Sequence, residues 1–220
     1  MPYIYKFINC TGMKKSLIII FALFLFSSAK AQYPEWMDLS KWDPISLKKA
    51  NTAVNTDYLT EEEKLVIFIT NLARMDGPLF ITSILDPFLE GEPKTRYTKS
   101  LQRDLAKVKN LQPLHPEKDL YTIAFGHAVK SGKRGSVGHE GFDSRFKPFM
   151  GKYNMVAENC AYGFEKGGTN AIQLLIDEDV SNLGHRKNML HTQFTSIGVS
   201  IQPHKTYEYN CVMDFGKKAK

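Results

Sequence analysis

Apolar residues recur along this chain with two periods and one unbroken run. The run is Leu17 to Phe26, ten apolar residues flanked by Lys14-Lys15 and by Ser27-Ser28-Ala29-Lys30-Ala31. Helical spacing begins after Thr60: Thr60-Glu61-Glu62-Glu63 has the form of a capping box, and Leu65, Phe68, Ile69 and Leu72 follow on one face. Gly77-Pro78 stops that helix, and Pro78 opens a second helical stretch through Phe88. Gly91-Glu92-Pro93 breaks the chain again. Leu101, Leu105 and Val108 mark a third helix, and Leu120, Ile123, Ala124 and His127 a fourth. From Lys130 to Lys152 the period dissolves into a glycine-rich stretch, expected to be an irregular functional loop. A strand over Val156–Tyr162, a helix over Asn170–Asp179 and a short helix near His185–Leu190 come next. The chain closes with Ile197, Val199 and Ile201 alternating, a turn at Pro203-His204-Lys205, and Tyr207 through Phe215 alternating, which is a β-hairpin. Helices around a few antiparallel strands predict an α+β layered domain. No internal repeat is present.

The unbroken run is too short for a membrane-spanning helix, which needs roughly 20 apolar residues. Basic pair, short apolar core and Ala-x-Ala form the layout of a secretory signal peptide, residues 1–31, cut after Ala31, with Met13 as the alternative start. An uncleaved anchor is the competing reading. Nothing later resembles a membrane span. Residues 32–58 read as an arm anchored by Trp36 and Trp42, residues 59–216 as one domain, and residues 217–220 as a basic tail.

Composition is that of an ordinary globular protein, with 43% hydrophobic and 24% charged residues. The net charge of +6 suggests a nucleic-acid partner only until its position is considered. Lys6, Lys14, Lys15 and Lys30 fall in the leader, and the remaining 25 basic and 23 acidic residues leave a net of +2. That is no footprint for DNA or RNA. Cleavage also removes Cys10. The remaining pair in an exported chain predicts a Cys160–Cys211 disulfide, the alternative being two buried free thiols.

Several familiar sites are missing: no Gly-x-Ser-x-Gly elbow, no phosphate loop, no dinucleotide fingerprint, and no second histidine after His139-Glu140 to make a zinc helix. Four polar residues stand in unusual settings. His139 follows Gly138 in the glycine-rich stretch, and His185 follows Gly184. Glu158 lies in an apolar strand, where a charge is costly unless paired. Glu178 ends an amphipathic segment. Two imidazoles and two carboxylates in one cleft suit a divalent cation or acid–base work. Each also has an ordinary structural reading.

The order of short motifs carries more. Asn71-Leu72-Ala73-Arg74, Leu111-Gln112-Pro113-Leu114, Ala124-x-x-His127-Ala128, Gly138-His139, Glu158-Asn159 with Gly163, Gly184-His185-Arg186-Lys187-Asn188-Met189-Leu190, Ile197-Gly198-Val199 and Asp214-Phe215-Gly216 succeed one another from Thr60 to Gly216. Together they resemble a bacterial member of the CAP superfamily (cysteine-rich secretory proteins, antigen five, pathogenesis-related one; the SCP domain).

The resemblance implies a three-layer α-β-α sandwich with a central antiparallel sheet and an open cleft carrying two His and two Glu. By position His139 matches the first His, Glu158 the first Glu and His185 the second His. Leu175 stands where the family has an aromatic three residues before its second Glu, so Glu178 matches, with Asp177 as the fallback. The same four are the candidates for any catalysis. The metal expected is Zn²⁺ or another divalent cation, with no organic cofactor. The function implied is a secreted, monomeric extracellular binding module for a lipid, glycan or peptide. A metal-assisted hydrolase of peptide or cell-wall material, and a structural domain with a vestigial tetrad, are the rivals. Asn71 and Arg74 are read as structural.

Overall fold

The computed structural model describes residues 33–219, so the signal-peptide expectation lies outside the described residues. Among the described residues no helix is long and apolar enough to cross a membrane.

Asp43 accepts from the Ile45 and Ser46 amides and starts α1 (Pro44–Ala50). Helix α2 (Glu61–Met75) begins with the capping box read in the sequence: the Thr60 hydroxyl accepts from the Glu63 amide and Glu63 accepts from the Thr60 amide. Glu63 is also buried, because its other oxygen accepts from the Ile201 amide at 2.9 Å. One carboxylate thus fixes where α2 starts and ties it to the sheet. The stretch after Pro78 divides into α3 (Gly77–Phe80), a π turn (Ile81–Leu85) and α4 (Asp86–Phe88). Helix α5 (Arg96–Leu105) stops before Val108, whose carbonyl instead accepts from the Gly77 amide.

Strand β1 (His115–Pro116) leads into α6 (Lys118–Arg134), which ends on Gly135 in the left-handed region. The Lys130–Lys152 stretch is therefore not irregular throughout. Helix α6 runs to Arg134, and α7 (Phe142–Phe146) with a following 3₁₀ turn (Lys147–Phe149) occupies its second half. Phe142, Phe146 and Phe149 pack with Leu120, Ile123 and Tyr153 in a small core of their own. The glycines concealed this aromatic spacing. After β2 (Tyr153–Tyr162) come α8 (Gly167–Ile176), α9 (Gly184–Met189), β3 (Ser196–His204) and β4 (Glu208–Lys218).

The sheet order is β1-β3-β4-β2, with β3–β4 and β4–β2 antiparallel and only the two-residue β1 parallel. Helix α6 lies on β3 and β4; α2 and α8 pack together on the sheet's other side. That is the α-β-α sandwich expected. Gly198 is required by it, since a Cβ there would stand 2.1 Å from the α6 main chain at Leu120 and Tyr121. The main core lies between the sheet and α2/α8, and includes Phe68, Ile69, Leu72, Ile172, Leu175, Val199 and Phe215. Burial of each such side chain contributes roughly 1.5–3 kcal/mol.

The expected Cys160–Cys211 disulfide is absent; both are buried free thiols. Cys160 is opposite Val212 and Ala161 is opposite Cys211. Neighbouring register positions send side chains to opposite faces of a sheet. Cys160 accordingly packs with Ala124 and Ala128, while Cys211 joins the main core.

Candidate functional site

The site is organised by two consecutive residues of β2, which is an edge strand of the sheet. Glu158 and Asn159 point to opposite faces because side chains alternate along a strand. On one face Glu158 accepts from Nδ1 of His139 at 2.8 Å. On the other, Asn159 donates to the His185 carbonyl at 3.0 Å and accepts from Asn188 at 2.8 Å. The segments bearing the two imidazoles are therefore held from either side of one strand.

His139 is presented by Gly138, whose φ of +91° favours glycine. The Gly138 amide donates to the Tyr162 hydroxyl, and its carbonyl lies 2.8 Å from Nε2 of His127. A carbonyl only accepts, so His127 carries its proton on Nε2. Burial holds the His127 pKa below its ordinary value, despite the attraction of Glu158.

Glu158 has a second partner that balances its charge. Arg145 of α7 donates from Nη1 to Oε2 at 2.6 Å and from Nη2 to Oε1 at 3.0 Å. Burial would raise the Glu158 carboxyl, but the hydrogen bonds from His139 and Arg145 prevail and hold it at about 2.

The second imidazole repeats the arrangement with a different carboxylate. Nδ1 of His185 lies 2.7 Å from Oδ1 of Asp177. Helix α8 ends at Ile176, and Asp177 adopts the left-handed conformation (φ 58°). That turn carries its side chain back onto the start of α9, where Oδ2 accepts from the His185 and Arg186 amides. In both pairs the carboxylate is buried and the imidazole reaches the surface: 1% against 49% exposed for Glu158 and His139, 0% against 24% for Asp177 and His185. Solvent-borne ligands meet nitrogen here, not the carboxylates.

Residues 71–215 match the family model of the cysteine-rich secretory protein family, CAP. The chain belongs to the CAP family. Among solved structures it is similar to an outer surface protein of Borrelia burgdorferi (21% identity, 56% of this chain and 90% of that one, TM-score 0.43). It is similar also to a cysteine-rich secretory protein of Staphylococcus aureus (19%, 57% and 40%, TM-score 0.40). A third is an extracellular protein containing an SCP domain from Bacillus anthracis (20%, 60% and 50%, TM-score 0.42). No curated protein matches the chain.

Of the four residues expected in the CAP cleft, the structure joins His139 to Glu158, and His185 to Asp177. Glu178 is exposed, and no hydrogen bond or ion pair links it to another described residue. Arg145 went unrecognised because it sits in the stretch read as irregular; its only signal was a basic residue between two phenylalanines.

A third group, His127, Glu158 and Cys160, offers donor atoms within 4.8 Å of one another. It suits a metal poorly. His127 Nε2 is turned to the Gly138 carbonyl, and the Arg145 guanidinium, a cation, donates to both Glu158 oxygens. The family's Asn71 and Arg74 are structural. Asn71 bonds the Ala50 carbonyl and both main-chain groups of Leu114. Arg74 donates to the Gln112, Met189, His191 and Phe194 carbonyls, and burial lowers its pKa to about 10.

Proposed function

We propose that this CAP domain works as an extracellular binding module that holds a divalent metal of the zinc class through Nε2 of His139 and Nε2 of His185. One observation carries the reading: each imidazole gives Nδ1 to a buried carboxylate, Glu158 or Asp177. A carboxylate accepts at Nδ1, so the neutral ring keeps its proton there and its lone pair on Nε2. Buried carboxylates behind surface imidazoles are the usual outer partners of metal-bound histidine, where they fix tautomer and ring orientation. Glu158 and Asp177 thus aim the imidazoles, and the ion's remaining positions are left for water or an extracellular ligand. Export is supported by the leader layout of residues 1–31. Burial keeps the thiol of Cys160, beside His139, protonated, so covalent catalysis through this cysteine is not part of the reading.

The test is a calorimetric Zn²⁺ titration of the chain from Gln32 onward, beside His139→Ala, His185→Ala and the double variant. Stoichiometric binding that either single substitution weakens at least tenfold is the expected result. Binding unchanged in the double variant, or none by the folded protein, refutes the reading.

A further inference from the structure

One fully buried carboxyl lacks any hydrogen-bond partner among the described residues: both oxygens of Asp214, in β4. Its neighbours in the sheet narrow what can satisfy it. On one side is Gly198 of β3, which has no side chain. On the other is Glu158 of β2. The Gly163 amide donates to the Tyr209 carbonyl, which directs the main-chain groups of Tyr209, Cys211, Met213 and Phe215 toward β2. Glu158 and Asp214 are then a non-hydrogen-bonded cross-strand pair, the kind in which side chains approach most closely.

Counting acceptor sites decides how that pair is occupied. Oε1 of Glu158 accepts from His139 Nδ1 and Arg145 Nη2, whereas Oε2 accepts from Arg145 Nη1 alone. A carboxylate oxygen takes about two hydrogen bonds, so Oε2 has one place open. Two carboxyls in buried contact do not both ionise. Arg145, which donates to both Glu158 oxygens, fixes the negative charge there, which leaves the proton with Asp214.

The geometry points to Asp214 as a positioning residue of the His139 centre, a neutral carboxylic acid that donates its O–H to Oε2 of Glu158. Burial, reinforced by the Glu158 charge, keeps the Asp214 carboxyl well above the usual carboxylate range, and Arg145 does not reverse this. The other groups near the pair are His127, held neutral by burial, the Cys160 thiol, and His139 itself. Glu158 and Arg145 then balance, and the floor beneath His139 carries no net charge. With Asp214 as the last donor, every Glu158 acceptor site is filled, so the carboxylate cannot rotate away from Nδ1 of His139. The inference concerns the Glu158–His139 pair and holds whether or not a metal binds there.

Carboxyl ¹³C and imidazole ¹⁵N spectra of the exported protein test it. The Asp214 carboxyl is expected at the protonated shift at pH 7, with Glu158 ionised in the same sample. An ionised Asp214 at pH 7 overturns the proposal without any variant having to fold. Asp214→Asn keeps a donor toward Glu158 and should preserve both the Glu158 shift and the Nδ1–H tautomer of His139. Asp214→Ala removes the donor and should move the Glu158 shift and mix the His139 tautomers. If Asp214→Ala leaves both signals where they were, Asp214 is structural filling and the positioning role is wrong.

Discussion

Replacing Arg145 by Met should show how much the charge balance beneath His139 contributes. The substitution keeps most of the aliphatic stem and removes two of the three hydrogen bonds held by Glu158, whose side chain is 1% exposed. Glu158 is held at about 2 against an ordinary value of 4.5. His139 shares in that depression, so the loss expected for removing Arg145 is that of orphaning a buried charge, about 3 kcal/mol at neutral pH. At roughly 2–4 °C per kcal/mol for a domain of this size, Tm should fall by about 6–12 °C. The sign with pH follows from linkage. In the wild type the folded pKa lies below the unfolded one, so this stabilisation is complete above about 4.5 and is lost as pH falls through about 2. In Arg145→Met the unpaired carboxyl moves upward and protonates in mild acid, which relieves the penalty. Urea unfolding at pH 7 and pH 4 should therefore show a gap between the proteins that narrows in acid. Arg145→Met/Glu158→Gln, which removes both charges, should recover more than half of the loss at pH 7. An equal gap at both pH values would mean that lost packing explains the defect, and the electrostatic argument would fail.

Three other outcomes are expected. Asp177→Ala should weaken Zn²⁺ binding roughly 10–100-fold in the calorimetric titration, the usual effect of losing an outer partner, whereas Glu178→Ala should leave it unchanged; the reverse order would return Glu178 to the cleft. The chain from Gln32 onward, produced in oxidising medium and unfolded without reductant, should titrate two free thiols, and a count of zero would show that Cys160 and Cys211 do pair. Gly198→Ala should cost about 3 kcal/mol or more by urea unfolding, because its Cβ meets α6 main chain that has no side-chain freedom to yield; a loss below about 1 kcal/mol would show that α6 shifts easily.

Elements governed by local chemistry were legible in the sequence. Thr60 and Glu63 cap α2 as their spacing implies, and the alternation from Ile197 to Phe215 is the β3–β4 hairpin. What escaped depended on where a backbone turned or which face a residue took. A cysteine pair in an exported chain favours a disulfide, but Cys160 and Cys211 lie on opposite faces of the sheet, which spacing along separate strands does not disclose. The family resemblance, counted from Leu175, selects Glu178 with Asp177 as the fallback; the left-handed turn at Asp177 ends α8 and puts that fallback carboxylate against His185. Phe142 and Phe146 sit one helical turn apart, yet the glycines around them read as loop, and with α7 went Arg145. Asp214 was visible only as part of the closing Asp214-Phe215-Gly216 motif. Only the register opposite Glu158 gives it a role.

The placement of Glu158 and Asn159 side by side on an edge strand has a consequence for how the gene can change. Deleting or inserting one residue within β2 between Val156 and Glu158 would exchange the two faces from that point on. The amide would then sit over Arg145 and His139, and the acid would lie against the His185 carbonyl. Both attachments would be lost in one event, with no substitution in either histidine. Length variation in this domain should therefore collect in the exposed turns that bound β2, such as 163–166, and spare the strand.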